Sequence, residues 1–559
     1  MKHRGTLAWL LAAALLVSGC GVASGTSEWQ QQADAQQPAE TGGSATPQAT
    51  AEQGDAGQTE PADTAGTAAD SQDMFTDRDF EIGFDEQTSV QILLTGDGAS
   101  CASDAVQISG STVLITQEGT YVLSGTLDDG MVAVNAPDTA KVHLVLNGVS
   151  ITNATSAALY ILEADKVFVT TVSGTENTLQ NGGAYVAIDD NNIDGVIFSK
   201  ADLTLNGAGT LVIAAEAGHG VVSKDDLVLT SGTYAITAAG QGLSGKDSVR
   251  IANGSYTIVS GKDAIHAENA DDASLGFLYI SGGTFTIDAE GDGISAASTL
   301  QITDGTFDIS TGAGSASATM KTDAADFGRW QAQVQTQSQA AETEETSTSQ
   351  KGIKAGTALI ILDGSFQTDT VEDSLHAGGD IRIAGGTFDL KSGDDAIHSD
   401  AAVRIAGGEF TISCCYEGIE GLSITVDAGT FDITSEDDGL NAAGGADSSG
   451  FGGGRPGQDR FSADSDSFIT INGGAFAIVS RGDCIDSNGA LTINGGTLDL
   501  TCNGNGNTAL DCDGTYTNTG GDVTTNDGSE ANPGQMGGGM GRPGGQGGPG
   551  GQDRGGGRP

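Results

Sequence analysis

From about residue 230 the chain repeats one short pattern of apolar and polar positions. An aromatic residue follows a Gly-Thr-like turn at Tyr234, Tyr256, Phe285, Phe307, Phe366, Phe388, Phe410, Phe431 and Phe476, with Leu498 in the same place. The steps are 22, 29, 22, 59, 22, 22, 21, 45 and 22 residues. Most are one unit of 22, and the three long ones carry insertions. Within one unit apolar residues alternate in short runs: Ile381 and Ile383, then Phe388 and Leu390, then Ile397. Alternation with a period of two predicts strands, and three strands separated by Gly-rich turns make one coil. A single coil cannot bury its inward row, but stacked coils share a continuous core. The pattern therefore predicts an all-β chain, a single-stranded parallel β-helix of about 22 residues per coil. At a strand spacing of about 4.8 Å, roughly 16 or 17 coils give a rod of roughly 80 Å. A helical solenoid is excluded, because the Gly breaks leave no run long enough.

The helix is predicted over residues 74–527, with insertions near 267–276, 312–348 and 442–466. Its first part, to about residue 200, repeats less regularly and reads either as the start of the same rod or as a small separate β domain. Residues 21–73 are rich in Gln, Ala, Thr, Ser, Gly and Asp without periodicity, which predicts a disordered tether. Such a coil averages roughly 40 Å end to end and stretches to roughly 180 Å. The segment 528–559 is Gly/Pro/Gln/Met low complexity and is predicted to be a disordered tail. At the N-terminus, Lys2, His3 and Arg4 precede an apolar stretch from Leu7 to Val17. That is a secretory signal over residues 1–20 rather than a spanning helix, which needs about 20 apolar residues. Val17-Ser18-Gly19-Cys20 resembles a bacterial lipobox. The resemblance implies cleavage before Cys20, lipid on that residue, and retention on the outer face of the cell membrane.

Composition narrows the partners. The chain holds 75 acidic and 23 basic residues, a formal charge of −52, which disfavours nucleic acid and anionic lipid. Membrane contact is expected only through the lipid, and the chain is expected to act as a monomer. The 87 glycines and 9 prolines without a G-x-y period fit a turn-rich β protein and exclude collagen. Besides Cys20 there are six cysteines, Cys101, Cys414, Cys415, Cys484, Cys502 and Cys512, without zinc spacing. They read as small buried fillers, with disulfides open in an exported protein.

Two polar columns recur on the third strand of each coil. The first holds Asp263, Asp292, Asp373, Asp395, Glu417, Asp438 and Asp483, often after another acid such as Glu372, Asp394 or Asp437. The second, one residue past the inward Ile or Leu, is expected to face outward: His266, Ser295, His376, His398, Glu420, Asn441 and Asp486. Stacked carboxylates about 5 Å apart repel one another, and a cation between them removes the conflict. Calcium takes six to eight oxygens in flexible geometry, so the candidate metal ligands are Asp263, Asp292, Asp373, Asp394, Asp395, Glu417, Asp437, Asp438 and Asp483. Turn aspartates that accept backbone N–H bonds would give the same pattern without metal. His376, His398 and Glu420 are candidate ligand-binding positions, with a zinc site and a plain polar ladder both open. Arg382 and Arg404, one period apart on the first strand, suit carboxylates bidentately or pair with neighbouring aspartates. Lys200, Lys224 and Lys246 read as neutralising the acids beside them.

The phrases "GTYVLSGTL", "VHLVLNGVSIT", "SKADLTLNGAGTLVI", "SKDDLVLTSGTYAIT" and "GKDSVRI", with the "GDDAIH"-like units, resemble the carbohydrate-binding β-helix lipoproteins of clostridia and related bacteria. The resemblance covers about residues 80–520. It implies a right-handed pectate-lyase-like β-helix, bound calcium, surface display, and affinity for acidic polysaccharide such as polygalacturonate and for cellulose. All three tryptophans lie outside the coils, so recognition would rest on polar and ionic contacts, with calcium bridging carboxylates. A polysaccharide lyase is the alternative, with Arg382 or Arg404 as base beside Asp373 and Asp395, and a structural adhesin or spacer is a third. Gly393-Asp394-Asp395 and Gly218-His219-Gly220 match polygalacturonase motifs in letters only, being in reversed order and about eight coils apart.

Overall fold

A computed structural model describes residues 74–318, 349–443 and 467–533. The signal segment, Cys20, the 21–73 tether, the segment from 534 onward and most of two insertions lie outside the described residues.

One coil shows how the pattern folds. Asp380–Ile383 forms the first strand and Thr387–Ser392 the second, and Ile397–Ile405 supplies the third before running into the next first strand. Each strand pairs in parallel with its equivalents one coil away. Ile361 lies beside Ile383 and Ile383 beside Ile405; Phe366 lies beside Phe388 and Phe388 beside Phe410. The chain is a parallel β-helix. Two short antiparallel pairings, Val90–Gly96 with Ala99–Ser100 and Val106–Ser109 with Thr112–Ile115, lie in its first coils. The irregular N-terminal section belongs to the same rod, because Val90–Gly96, Gly119–Leu127 and Lys141–Asn153 continue the parallel register into the regular coils.

The main core is one contiguous cluster inside the rod, from Ile92 to Leu510, and a smaller buried cluster joins Met131, Ala133, Ala157, Tyr160, Phe198 and Val222. Along it the aromatic repeat stands as one stack from Tyr234 to Phe476, with neighbouring centroids 4.5 to 5.1 Å apart and planes within 7°. Each buried ring contributes about 1.5–3 kcal/mol and each stacked pair about 0.5–1.5 kcal/mol more. The turn before the ring requires glycine: Gly386 has φ +116°, and a Cβ there would meet the Phe388 ring and the Gly364 carbonyl oxygen. Of the cysteines, Cys415 and Cys484 are buried fillers as the pattern predicts; the other four are partly exposed, and all six are free thiols.

A segment ahead of the first coil was not legible in the pattern. Residues 74–82, with the 3-10 turn Asp77–Phe80, lie along the outer side of the first-strand face, touching coils from Lys166 to Tyr279. At the other end, the turn Ser529–Ala531 places the Ser529 hydroxyl to accept a hydrogen bond from the Leu510 N–H.

Candidate functional site: the acidic ladder of the third strand

In several coils the turn before the third strand is shaped by a hydroxyl. Thr370, Ser392, Ser435 and Ser480 each donate to the carbonyl two residues ahead, at 2.7 to 3.0 Å. The acid of the first column directly follows that carbonyl. Its side chain turns along the rod axis and accepts the backbone N–H of the equivalent residue in the following coil. Asp263 accepts from Asp292, Asp292 from Lys351, Asp373 from Asp395 and Asp395 from Glu417, at 2.8 to 3.2 Å. Asp438 accepts from Asp483, and Asp483 from Thr508. Asp373, Asp395 and Asp438 therefore line one flank of the rod, and each of these acids spends one oxygen on the backbone.

The second oxygen separates two halves of the column. In the N-terminal half the protein supplies the cation. His266 Nδ1 lies 3.0 Å from Asp263 Oδ2, and Lys354 Nζ lies 3.2 Å from Asp292 Oδ2. Asp373 Oδ2 receives both Lys351 Nζ at 2.7 Å and His376 Nδ1 at 2.9 Å. Burial opposes ionisation of Asp373, but Lys351, His376 and His398 outweigh it and hold its carboxyl well below the usual range. Lys351 and Lys354 occupy the coil that follows the second insertion, in register with Asp373 and His376. Sequence reasoning missed both, because the insertion broke the step of 22. Aligning "KGIKAG" with "EDSLHAGG" is the signal that finds them.

The second column does not face open solvent as expected. His398 is completely buried, and Ser295 and Asn441 nearly so. The histidines fold back onto the carboxylate three residues earlier, and His376 and His398 stack at 5.2 Å. His398 Nδ1 lies 2.6 Å from Glu420 Oε2 and 3.2 Å from Asp395 Oδ2, while Nε2 lies 3.2 Å from Asp400 Oδ1. Burial disfavours its charge, but the bonds to Asp395, Asp400 and Glu420 raise its pKa far above the ordinary value. Protonated, the His398 ring is the counter-ion of this group; deprotonated, it joins Asp395 and Glu420 in a set whose ligand atoms lie within 4.8 Å of one another, a spacing that also suits a metal ion.

In the C-terminal half the pattern changes. Among the described residues, Glu417, Asp438, Asp483 and Asp511 have no Lys, Arg or His in ion-pair range. Burial, then Glu420 and Asp395, raise Glu417 well above the usual carboxylate range. Burial, then Asp437 and Asp486, do the same for Asp438. Burial pushes Asp483 up to about 7, with Asp511 and Asp437 adding to it. Glu420 likewise reaches about 7, burial being the main cause. Asp483, Asp486 and Asp511 bring ligand oxygens within 4.8 Å of one another. Twice a calcium–oxygen distance of 2.3–2.6 Å spans that gap, so the donor set fits one hard cation. Asn441, in register between Glu420 and Asp486, donates to Glu417 Oε2 at 2.9 Å, and its buried Oδ1 has no hydrogen-bond partner. A buried carbonyl oxygen left without a donor beside carboxylates is open to a water or a cation. Gly482 admits this crowding, since a Cβ there would collide with Asp438 Oδ1.

The remaining predicted residues stand apart. Arg382 and Arg404 lie on the first strand, in register with each other. Arg404 pairs with Asp427 at 3.2 Å, and Arg382 lies 3.9 Å from Asp380. They do not contact Asp373 or Asp395 on the third. The backbone carbonyls of Asp394 and Asp437 close the turns that carry the column. Lys224 lies 3.4 Å from Glu268 in a later coil rather than pairing with the adjacent Asp225 or Asp226, and Asp226 pairs with Arg250. Asp395 and His219 share the third-strand column but stand six coils apart, not eight.

Residues 109–396 and 394–536 match the family described as carbohydrate-binding domain-containing protein. The chain belongs to that family. Another carbohydrate-binding domain-containing protein, from Acetivibrio thermocellus, is 36% identical over 137 residues, which is 24% of this chain and 48% of the relative. The chain thus matches about half the length of that curated relative. A solved structure, the polysaccharide lyase-like protein from C. thermocellum as a gadolinium derivative, is 33% identical. It aligns with 40% of this chain and 92% of its own, with a TM-score of 0.39. In this carbohydrate-binding domain protein, both groups of described residues with metal-compatible spacing, Asp395–His398–Glu420 and Asp483–Asp486–Asp511, lie on this ladder.

Proposed function

We propose that the protein is a surface-displayed lipoprotein that binds acidic polysaccharide through calcium held in the C-terminal half of the third-strand ladder. The observation that carries the reading is the division of the column. Where Lys351, Lys354 or a histidine supplies charge, the acids are paired; among the described residues Glu417, Asp438 and Asp483 stack without such a partner, around an Asn441 oxygen that has no donor. Glu417, Glu420, Asp438, Asn441, Asp483, Asp486 and Asp511 would hold the metal. Bound calcium would remove the repulsion between coils and keep coordination positions open for uronate carboxylates, which this anionic surface otherwise repels. Among the acids expected to bind metal, Asp263, Asp292 and Asp373 act as ladder acids with internal counter-ions. Lipid on Cys20 would keep the protein at the outer face of the membrane, with residues 21–73 as the spacer.

The test is retention of the chain from residue 21 on polygalacturonate, in calcium and then in chelator, with ultraviolet absorbance followed for unsaturated ends. Retention that needs calcium and leaves absorbance flat supports the proposal. Growing absorbance replaces it with a lyase, and retention indifferent to calcium removes the metal from the binding step.

A further inference from the structure

The N-terminal arm over the first-strand face has the interactions of a bound ligand rather than of a core element. Asp79 is its hook: the side chain is buried, with Oδ1 2.9 Å from Lys166 Nζ and accepting from Thr204 Oγ1 at 2.6 Å. The Asp79 carbonyl accepts from Asn206 Nδ2 at 2.9 Å and from Thr230 Oγ1 at 2.7 Å. The carbonyls of Glu81 and Met74 accept from Asn206 and Arg250. Each of these bonds between arm and rod is donated by the rod and accepted by the arm. Two aromatic platforms complete the surface. Arg78 lies 4.7 Å over Phe168, and Phe75 meets Tyr279 edge-on at 6.0 Å. Phe168 and Tyr279 occupy the same outward column, through Thr204, Val228 and Arg250. Four coil steps separate them, about 19 Å.

Three features suit this face to being uncovered. Beneath the arm lie His143, Thr170, Thr204, Asn206 and Thr230, all buried and polar. Burying so many polar groups under a permanent cover gains little over apolar ones, whereas a face that must also meet water needs them. The arm is thin, and it leaves Phe80 51% and Ile82 41% exposed. The chain carries only 23 basic residues against 75 acidic ones, yet Lys166 and Arg250 both stand here, Arg250 paired with Asp226 through its other terminal nitrogen.

We infer that the first-strand face from Phe168 to Tyr279 is a second, calcium-independent track for an acidic polysaccharide, and that residues 74–82 occupy it as a displaceable internal competitor. A polyuronate has what the arm presents: a carboxylate for Lys166 and Thr204, oxygens for Asn206, Thr230 and Arg250, and C–H faces for Phe168 and Tyr279. The inference takes its ligand class from the proposed function but uses none of the third-strand carboxylates.

The experiment is run throughout in chelator, so that failure of the calcium reading cannot pass for failure of this one. Retention of the chain from residue 21 on polygalacturonate is compared with retention of Asp79→Ala and of D79A/K166Q. Releasing the hook is expected to raise retention about tenfold or more, and K166Q to reverse most of that gain. A cooperatively folded D79A without gain overturns the inference, as does an equal gain on fully methyl-esterified polymer. Hydrogen exchange on the unmutated chain decides the matter even if D79A does not fold. Saturating oligogalacturonate should speed exchange of the amides of residues 75–81, and unchanged or slowed exchange overturns the proposal.

Discussion

Replacing Lys351 by alanine tests whether the ladder needs one positive charge for each group of buried acids. Lys351 is buried, and its Nζ lies 2.7 Å from Asp373 Oδ2 and 3.4 Å from Glu372 Oε2. Asp373 is wholly buried and retains only the His376 nitrogen and the Asp395 N–H once the lysine is gone. Removing one partner of a buried ion pair costs about 3–5 kcal/mol, because the remaining charge is left in a poor solvent. At about 1.4 kcal/mol per factor of ten, amide protection in residues 351–377 should fall by roughly 100-fold or more in chelator. Local exchange is the suitable assay, since a rod of stacked coils need not unfold as one unit. Millimolar calcium should restore part of the protection, because the variant coil then resembles those at Asp438 and Asp483. A loss below about 1 kcal/mol in chelator would refute the reasoning, showing that Asp373 is held by its backbone bond and His376 alone.

Three further outcomes follow from the same structure. Without metal, the urea midpoint should fall as pH rises from 5 to 8. Asp483, raised from 3.8 to about 7, and Glu420, raised from 4.5 to about 7, lend stability while protonated and lose it as pH passes the folded value; a midpoint that holds or climbs in chelator contradicts this. Phe388→Ala removes a ring stacked at 4.8 Å on Phe366 and 4.5 Å on Phe410, so denaturant unfolding should show a loss of about 3–5 kcal/mol. Burial pushes the Cys484 thiol up to about 12 and Cys415 well above its usual value, so iodoacetamide at pH 8 should spare both until the chain is unfolded; mass mapping of the labelled sites checks it.

The strand repeat, the inward aromatic row and the alignment of Asp373, Asp395 and Asp438 were legible in the sequence. All three follow from short periods: two residues along a strand and 22 around a coil. Parallel stacking converts an equal sequence offset directly into neighbourhood, so a column written every 22 residues must become a column in space. Tertiary structure alone decided which members of that column are compensated. Lys351 and Lys354 enter it across an insertion that hides their register, and the buried His398 ring is set between Asp395, Asp400 and Glu420 only by the fold. The arm at residues 74–82 was equally invisible, since its partners lie from 87 residues to more than 170 residues away in sequence. Charge balance and face coverage are set by distance in space, which a one-dimensional period reveals only where the repeat is unbroken.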